Sequence, residues 1–578
     1  MADPTTLSAL GWPLPGTESL LPAAPFLAAL GSGILLLLPW RTRRARVTIS
    51  LLACLLMFFL SGALVLQTDA GAVLSHSMGR WPAPFGIVLV ADRLSAWMSL
   101  LTSVTLLLSM LHVAAVPDRV REKYHLFGLM HLLAAGVQLS FLTGDLFNLF
   151  VAFEVMLVAS YALTVLGSTR EQLREGFRYI VMNLVASALL VAACGMIYGQ
   201  LGTLNMAHLA QRSAELGPNP SVTIFSTLLL TVFASKSAQF PLGFWLPGTY
   251  PAVPAAVGAF FAAILTKVGI YAIMRTFGTM FTQEPYIVQA VLLGLGSATM
   301  LFGALGMVSQ REWRRILSFS VISSVGYMAF GLGLGTPQAV GATLFYLTGS
   351  VVVTAAMFLL AANAEKAAGT SYVAVRGMLE YQPLWAFLFM LGALTIAGLP
   401  PTSGFIAKFS LVRAAFEAVQ GSASLSPLIY TGVGAALISS LIILYAMLNV
   451  WRGYFWGHSE GTHPQPVSTR QQAPMLAAMG TLAALALAAG PLTAFASRAA
   501  AQLADPDEYI YGVLGRQPVT ILPLPEPGKP VHPAKAEELL VDPDPPKHDD
   551  PPVEEAPAPE PVGPVIPTTD TAPLEVQP

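Results

Sequence analysis

Charge is scarce in this chain. Asp, Glu, Lys and Arg together make 11% of 578 residues, against roughly 25% in soluble domains. Cysteine is scarcer still: Cys54 and Cys194 are the only two, each inside an apolar run and neither with a His or Cys neighbour at metal spacing. That argues against a disulfide framework, a haem or an iron–sulfur centre. No phosphate loop, zinc spacing, nucleophile elbow or dinucleotide fingerprint is present, so no cofactor, metal or nucleic-acid partner is expected. The glycine run at 331–335 follows an apolar helix rather than a strand. The first twenty residues lack a basic n-region, so the first apolar run is expected to stay as a helix rather than be cleaved.

Apolar sequence fills the space that charge leaves: 54% of the residues are hydrophobic and the mean hydropathy is +0.64. About 20 apolar residues in a helix cross roughly 30 Å of hydrocarbon. Windows of that size fall at 20–39, 47–66, 86–115, 125–143, 146–167, 178–199, 221–241, 252–277, 287–308, 314–334, 338–361, 384–417, 427–450 and 473–497. The expectation is an all-α polytopic membrane protein of about fourteen helices, with breaks hidden in the long windows 86–115 and 384–417.

Basic residues alternate between loops. Arg41, Arg43, Arg44 and Arg46 follow the first helix, and Arg119, Arg121 and Lys123 the third. Arg170, Arg174 and Arg178 follow the fifth, and Arg311, Arg314 and Arg315 the ninth; Lys366, Arg376, Arg452 and Arg470 follow the eleventh and thirteenth. The opposite loops hold little beyond Arg80 and Arg212. Cytoplasmic loops carry the Lys/Arg excess, so both termini are expected on the periplasmic side of a bacterial inner membrane. From Arg516 onward there are 4 basic and 12 acidic residues among dense prolines, leaving a body with 26 basic and 20 acidic residues. Such composition forbids helix and core alike. The expected organisation is a periplasmic segment 1–19, helices one to three over 20–124, helices four to thirteen over 125–452, the last helix within 453–500, and a disordered periplasmic tail 501–578.

Against this apolar background four ionisable residues sit far from any loop: Glu154, Lys236, Lys267 and Lys408, in the fifth, seventh, eighth and twelfth windows. A charge near the bilayer centre costs on the order of 3 kcal/mol by insertion scales, and such residues are functional by default. Desolvation works against the charged form of each, which suits groups that take up and release protons. A Glu154–Lys236 ion pair would offset it. Packing or snorkelling charges are the plainer alternative, and fit Arg275 and Arg413 near helix ends. Pro241 follows Lys236, while Pro400 and Pro401 precede Lys408 and free the carbonyls of Ile396 and Ala397. Helices broken at mid-membrane line transporter binding sites, and two such breaks in different halves argue for duplicated inverted units. Ser235, Ser237, Gln239, Thr402 and Ser403 cluster there. His112 and His131 are candidates for a proton chain, or for helix–helix hydrogen bonds. Asp92 is expected to pair locally with Arg93, and Asp145 to cap the fifth helix.

The stretches "FLTGDLFNLFVAFEVMLVASYAL", "FASKSAQFPLGFWLPGTYPAVPAAVGAFFAAILTKVGIYAIMR" and "REWRRILSFSVISSVGYMAFGLGL" resemble the antiporter-like subunits shared by respiratory complex I, membrane-bound hydrogenases and Mrp-type multisubunit cation/proton antiporters. The likeness covers roughly 20–500. "GRWPAPFGIVLVADRLSA" and "DPDEYIYGVLG" are similar to the D-type branch of the Mrp group. The resemblance implies fourteen helices, two inverted five-helix repeats (a unit 125–277 of helices four to eight and a unit 278–452 of helices nine to thirteen), and broken helices seven and twelve. It implies that Glu154, Lys236, Lys267 and Lys408 form a lateral hydrated proton path. The partners it implies are membrane lipid, other hydrophobic subunits, H⁺ and Na⁺, K⁺ or Li⁺. The chain would be one component of a secondary transporter rather than an enzyme. Where many relatives carry His in the eleventh helix this chain has Gly349, and Thr354 stands where some carry Lys. Any link there would run through water and the hydroxyls of Tyr346, Thr348, Ser350 and Thr354. Two rival readings remain at this point: a redox-driven membrane component of the complex I or hydrogenase kind, and a scaffold whose buried charges only pack.

Overall fold

The computed structural model describes residues 18–515 except 41, 422 and 459–463, with the backbone alone of Glu18, Ser19 and Arg80. The tail from 516, the segment before 18 and Arg41 lie outside the described residues; so does the separate C-terminal unit that begins at Gly528.

Water is absent from hydrocarbon, so each crossing segment must satisfy its own backbone, and helix is the local solution. Ten helices among the described residues are long and apolar enough to cross a membrane. In chain order the elements are α1 (Leu20–Leu37), α2 (Arg43–Asp69), α3 (Arg93–Ala115), the shorter α4 (Leu126–Leu142), α5 (Leu146–Thr164) and α6 (Arg170–Leu201). Next come α7, broken into α7a (Pro220–Lys236) and α7b (Leu246–Ala252), then α8 (Ala255–Met280), α9 (Pro285–Ser309), α10 (Trp313–Gly333) and α11 (Pro337–Ala368). The series ends with α12a (Pro383–Ala397), α12b (Ser403–Gly421), α13 (Ser426–Phe455), α14a (Thr469–Leu487), α14b (Ala489–Ala504) and α15 (Pro506–Leu514).

Besides that of α7, three windows divide where the sequence carries a breaker. The window 86–115 opens with a strand, β2 (Val88–Ala91), antiparallel to β1 (Leu74–Ser77); this hairpin is an addition to the all-helical expectation. Asp92 then starts α3 through a reciprocal cap: it accepts from Ser95 N at 2.9 Å, and Ser95 Oγ accepts from Asp92 N at 2.9 Å. The window 384–417 parts at Gly398, whose φ of +82° suits glycine, followed by two prolines. The last window bends by 77° between α14a and α14b, because Pro491 cannot pack against the carbonyl of Leu487. Helix α15 falls inside the stretch assigned to the tail: Asp505 accepts from Asp507 N at 3.2 Å ahead of Pro506, a cap that the bulk composition of the tail conceals.

Position in the bundle follows from burial. α2 leaves most of its apolar window incompletely buried, as a lipid-facing helix would, whereas α8 and α11 are buried throughout theirs. α11 packs on α8 and on α12b, so it lies between the helices that carry Lys267 and Lys408.

The backbones of α9 and α10 approach one another closely. A Cβ on Gly303 would lie 2.3 Å from Ser323 N, one on Gly326 2.4 Å from Met300 N, and one on Gly296 2.6 Å from Phe330 N. Small residues at such spacing let helices touch where hydrophobic burial offers no gain over lipid. Gly303→Leu is expected to force the pair apart and remove most monodisperse protein in size-exclusion chromatography, overpacking costing about 1–3 kcal/mol or more. Gly294→Ala, with open space around it, is expected to behave as wild type.

Candidate functional site

The three membrane lysines are all buried, and each is held by neutral groups. Lys236 ends α7a; its ammonium donates to Ser187 Oγ of α6 at 3.4 Å and sits 4.9 Å from the centre of the Phe153 ring. Lys267 is fully buried in α8 just after a π-helical turn, Phe261–Leu265. Such a turn loosens the regular backbone ladder, and Lys267 donates to Ala262 O at 3.0 Å. Lys408 of α12b donates to Ala397 O at 3.2 Å and to Ser440 Oγ of α13 at 3.0 Å. Ala397 O is one of the carbonyls that the double proline frees. The Lys408 ammonium also lies 4.2 Å from the centre of the Tyr327 ring, whose hydroxyl meets Ser440 at 2.8 Å.

Backbone contact brings the first two lysines' helices together. A Cβ on Gly269 of α8 would lie 2.7 Å from Ser237 N and 2.9 Å from Phe233 O. A cavity of about 10 Å³ beside Lys236 is lined by Phe153, Tyr179, Asn183, Trp245 and Gly269. A second cavity, about 20 Å³, lies between α10, α11 and the broken α12. Its polar lining comes from Ser320, Ser324, Tyr346, Ser350, Thr354 and Ser403. The Ser350 and Ser403 hydroxyls are buried without a protein partner. A cavity of roughly 10–15 Å³ holds a water when polar groups receive it, so the second suits water. Gly349 opens onto it, and a Cβ there would lie 3.7 Å from Ser403 Oγ. The space thus lies where the resemblance leads one to look for an imidazole. Tyr346, a lining residue, has its ring 5.4 Å from that of Tyr327, one ring away from Lys408.

The remaining candidates are distributed unevenly. Tyr346, Ser350 and Thr354 share the cavity, but Thr348 does not line it: its hydroxyl donates to Leu344 O at 2.9 Å and accepts from Trp97 Nε1 at 2.8 Å. Ser235 lies in the last turn of α7a, and Ser237 Oγ returns a bond to Phe233 O at 2.8 Å. His131 lies between α4 and α2, with Nδ1 3.0 Å from Phe127 O and Nε2 3.7 Å from Cys54 Sγ, both ring nitrogens engaged. Buried His112 leaves Nδ1 without a partner. Glu154 is half-buried on α5, and its Oε1 has no partner. The expected Glu154–Lys236 ion pair is not formed, because the Phe153 ring and Ser187 occupy the ammonium instead.

Two further pairings differ from expectation. Asp92 bonds not to Arg93 but to Arg275, 2.6 Å away and 183 positions along the chain. Arg275 is accordingly buried rather than snorkelling, while Arg413 is exposed beside Glu417. Asp145 does cap α5, accepting from Asn148 N at 2.8 Å. Burial pushes its carboxyl up to about 6 despite the amides of Asn148 and Phe147. Ser187, Tyr327 and Ser440 were not singled out in the sequence; a serine on a neighbouring helix carries no signal there, and Tyr327 reads as one more apolar position.

Structural charge is handled by another residue type. Arg43–Glu122 at 2.9 Å, Arg275–Asp92 at 2.6 Å, Arg314–Glu365 at 3.0 Å and Arg498–Asp69 at 2.8 Å all join helices or their ends. Among the described residues no carboxylate forms an ion pair with Lys236, Lys267 or Lys408.

The family model described as NADH:quinone oxidoreductase/Mrp antiporter, TM, matches residues 143–439. The D-type component of the Na(+)/H(+) antiporter of Alkalihalophilus pseudofirmus is 40% identical over 461 residues, 79% of this chain and 92% of that one. The D-type component of the probable K(+)/H(+) antiporter of Rhizobium meliloti is 37% identical over 500 residues, 81% and 92%. Among solved structures, the Mrp complex from Dietzia sp. DQ12-45-1b contains a chain with a TM-score of 0.79 at 31% identity, covering 86% of this chain and all of that one. This chain therefore belongs to the NADH:quinone oxidoreductase/Mrp antiporter membrane family, on the D-type branch of its Mrp group.

Proposed function

We propose that the chain is the proton-carrying component of a multisubunit Na⁺(K⁺)/H⁺ antiporter, passing protons among Glu154, Lys236, Lys267 and Lys408 at mid-membrane. One observation carries this reading: among the described residues, the ion pairs that tie helices together are made by arginines and carboxylates, and none is made by the three buried lysines. A scaffold needs its buried charges paired, because an uncompensated one costs several kcal/mol. An ammonium held by a carbonyl or a hydroxyl is able instead to give up its proton, and no ion pair breaks when it does.

Coupling between sites is Coulombic. Two unit charges about 10 Å apart interact by roughly 1.7 kcal/mol at an effective dielectric of about 20, more than tenfold in proton affinity. A proton arriving at Lys267 therefore drives others off, and a negative Glu154 draws one to Lys236. The hydroxyl cavity near Gly349 supports water as the carrier on the Lys408 side, in place of a side chain from α11. Breaks at α7 and α12 support two inverted units, α4–α8 and α9–α13, and the basic loops support a periplasmic position for both termini. The exchanged cation is Na⁺ or K⁺, with other membrane subunits of the complex as partners.

Lys236→Ala is expected to reduce cation/proton exchange in everted vesicles to background while the complex still assembles on native gels. Wild-type exchange by that variant would end the mechanism. Gly349→Leu, which fills the water cavity, is expected to slow exchange by at least about tenfold, the equivalent of 1.4 kcal/mol, with assembly intact. Gly349→Ala has room for its methyl group and is expected to retain most activity; equal exchange rates for the two variants would remove the cavity from the path.

A further inference from the structure

Lys267, Tyr271, Arg275 and Thr279 follow one another at intervals of four along α8, which stacks side chains on one helix face. α8 is buried throughout its apolar window, so this polar column faces protein and not water. Tyr271 donates to Phe141 O at 2.7 Å. Arg275 meets the Asp92 carboxylate at 2.6 and 2.7 Å, and its guanidinium lies 5.6 Å from the centre of the Tyr271 ring and 4.8 Å from that of Tyr509. Tyr509 belongs to α15, and a Cβ on Gly144 would come within 3.5 Å of its hydroxyl, so the Asp145 loop borders the same point. Asp92 is itself fixed between β2 and α3 by Ser95. The ionisable groups around the junction are thus Asp92, Arg275, Tyr271, Tyr509 and Asp145.

Unpartnered hydroxyls lie on both sides of that junction. Thr266 Oγ1, next to Lys267, is buried without a hydrogen-bond partner, and so are Thr276 Oγ1 and Thr279 Oγ1 beyond Arg275. A buried hydroxyl left unpaired lowers stability, and a pair serving only to join two helices does not call for three of them on α8, of which Thr279 lies in the column and Thr266 and Thr276 each about 100° round the helix from a column residue. Hydroxyls spaced along one helix do suit intermittent water.

We propose that Asp92 and Arg275 form a latch that closes a water route along this face of α8, through which Lys267 exchanges protons with the side of the membrane bearing the β-hairpin and α15. The inference rests on the proton-relay reading of Lys267. When the pair parts, water enters the column; a proton leaves Lys267 Nζ for that water, and the amine stays neutral until the next proton arrives along the relay. Arg275 keeps its charge and Asp92 remains a carboxylate, so the pair recloses unaltered. Arg275 acts here as a positioning and gating residue, and no bond to the transported proton is assigned to it.

The test uses the whole complex in proteoliposomes. Without a cation gradient, Asp92→Asn is expected to raise passive proton leak several-fold. The exchange of charges, Asp92→Arg with Arg275→Asp, is expected to restore tightness, and adding Lys267→Ala to the Asp92→Asn background to abolish the leak. An assembled Asp92→Asn complex as tight as wild type would overturn the latch and leave the relay untouched. A leak that persists without Lys267 would overturn its connection to the relay. Should Asp92→Asn fail to assemble, a membrane-impermeant thiol reagent applied from the hairpin side decides the matter, the native Cys54 and Cys194 both being buried. Thr279→Cys and Thr266→Cys, both buried at rest, are expected to react only during imposed exchange. Failure of Thr266→Cys to react during exchange, or its equal reaction at rest, would overturn the proposal.

Discussion

A cation deep in a lipid-embedded core must find oxygen, and two of the three buried lysines of this protein find it at irregularities in helices. Lys267 bonds Ala262 O beside a π turn, and Lys408 bonds Ala397 O at a double-proline break. The dependence is mutual. Interrupted backbone survives at membrane depth only when its freed groups are satisfied, and here the ammonium satisfies one of them. Site and irregularity are one structure, so the breaks are conditions for placing charge at mid-membrane and not flaws in an otherwise regular bundle.

Much of this architecture is legible in the order of residues alone. Hydrophobic runs are long, membrane helices need little else, and the windows overlap helices or broken helices of the structure. Pro400 and Pro401 marked the carbonyls of Ile396 and Ala397 as free, and Lys408 takes the second. The fourteenth window hid the 77° bend, because hydropathy averages over a single proline. The β-hairpin escaped because four-residue strands leave too short a pattern beside a long apolar helix.

Partners were far less legible than positions. Local reasoning assigned Asp92 to Arg93, one residue away, yet its partner comes from 183 residues along the chain; helix packing decides such pairings, and helix packing is not written in spacing. The same limit explains Glu154 and Lys236. Both are on the expected helices, but the rotation of α5 turns the Phe153 ring, not the carboxylate, towards the ammonium. The resemblance did help where the residues were silent: the substitution of glycine at 349 directed attention to a region that the structure fills with hydroxyls.

The choice of neutral oxygens around the lysines has a further consequence. A carboxylate partner would make one protonation state of each lysine much deeper than the other and would give the sequence of sites a preferred slope. Serine hydroxyls and backbone carbonyls impose no such slope. Under the proposed reading only Glu154, acting on Lys236, tilts the row, and the ion gradients across the membrane decide which way the same residues run.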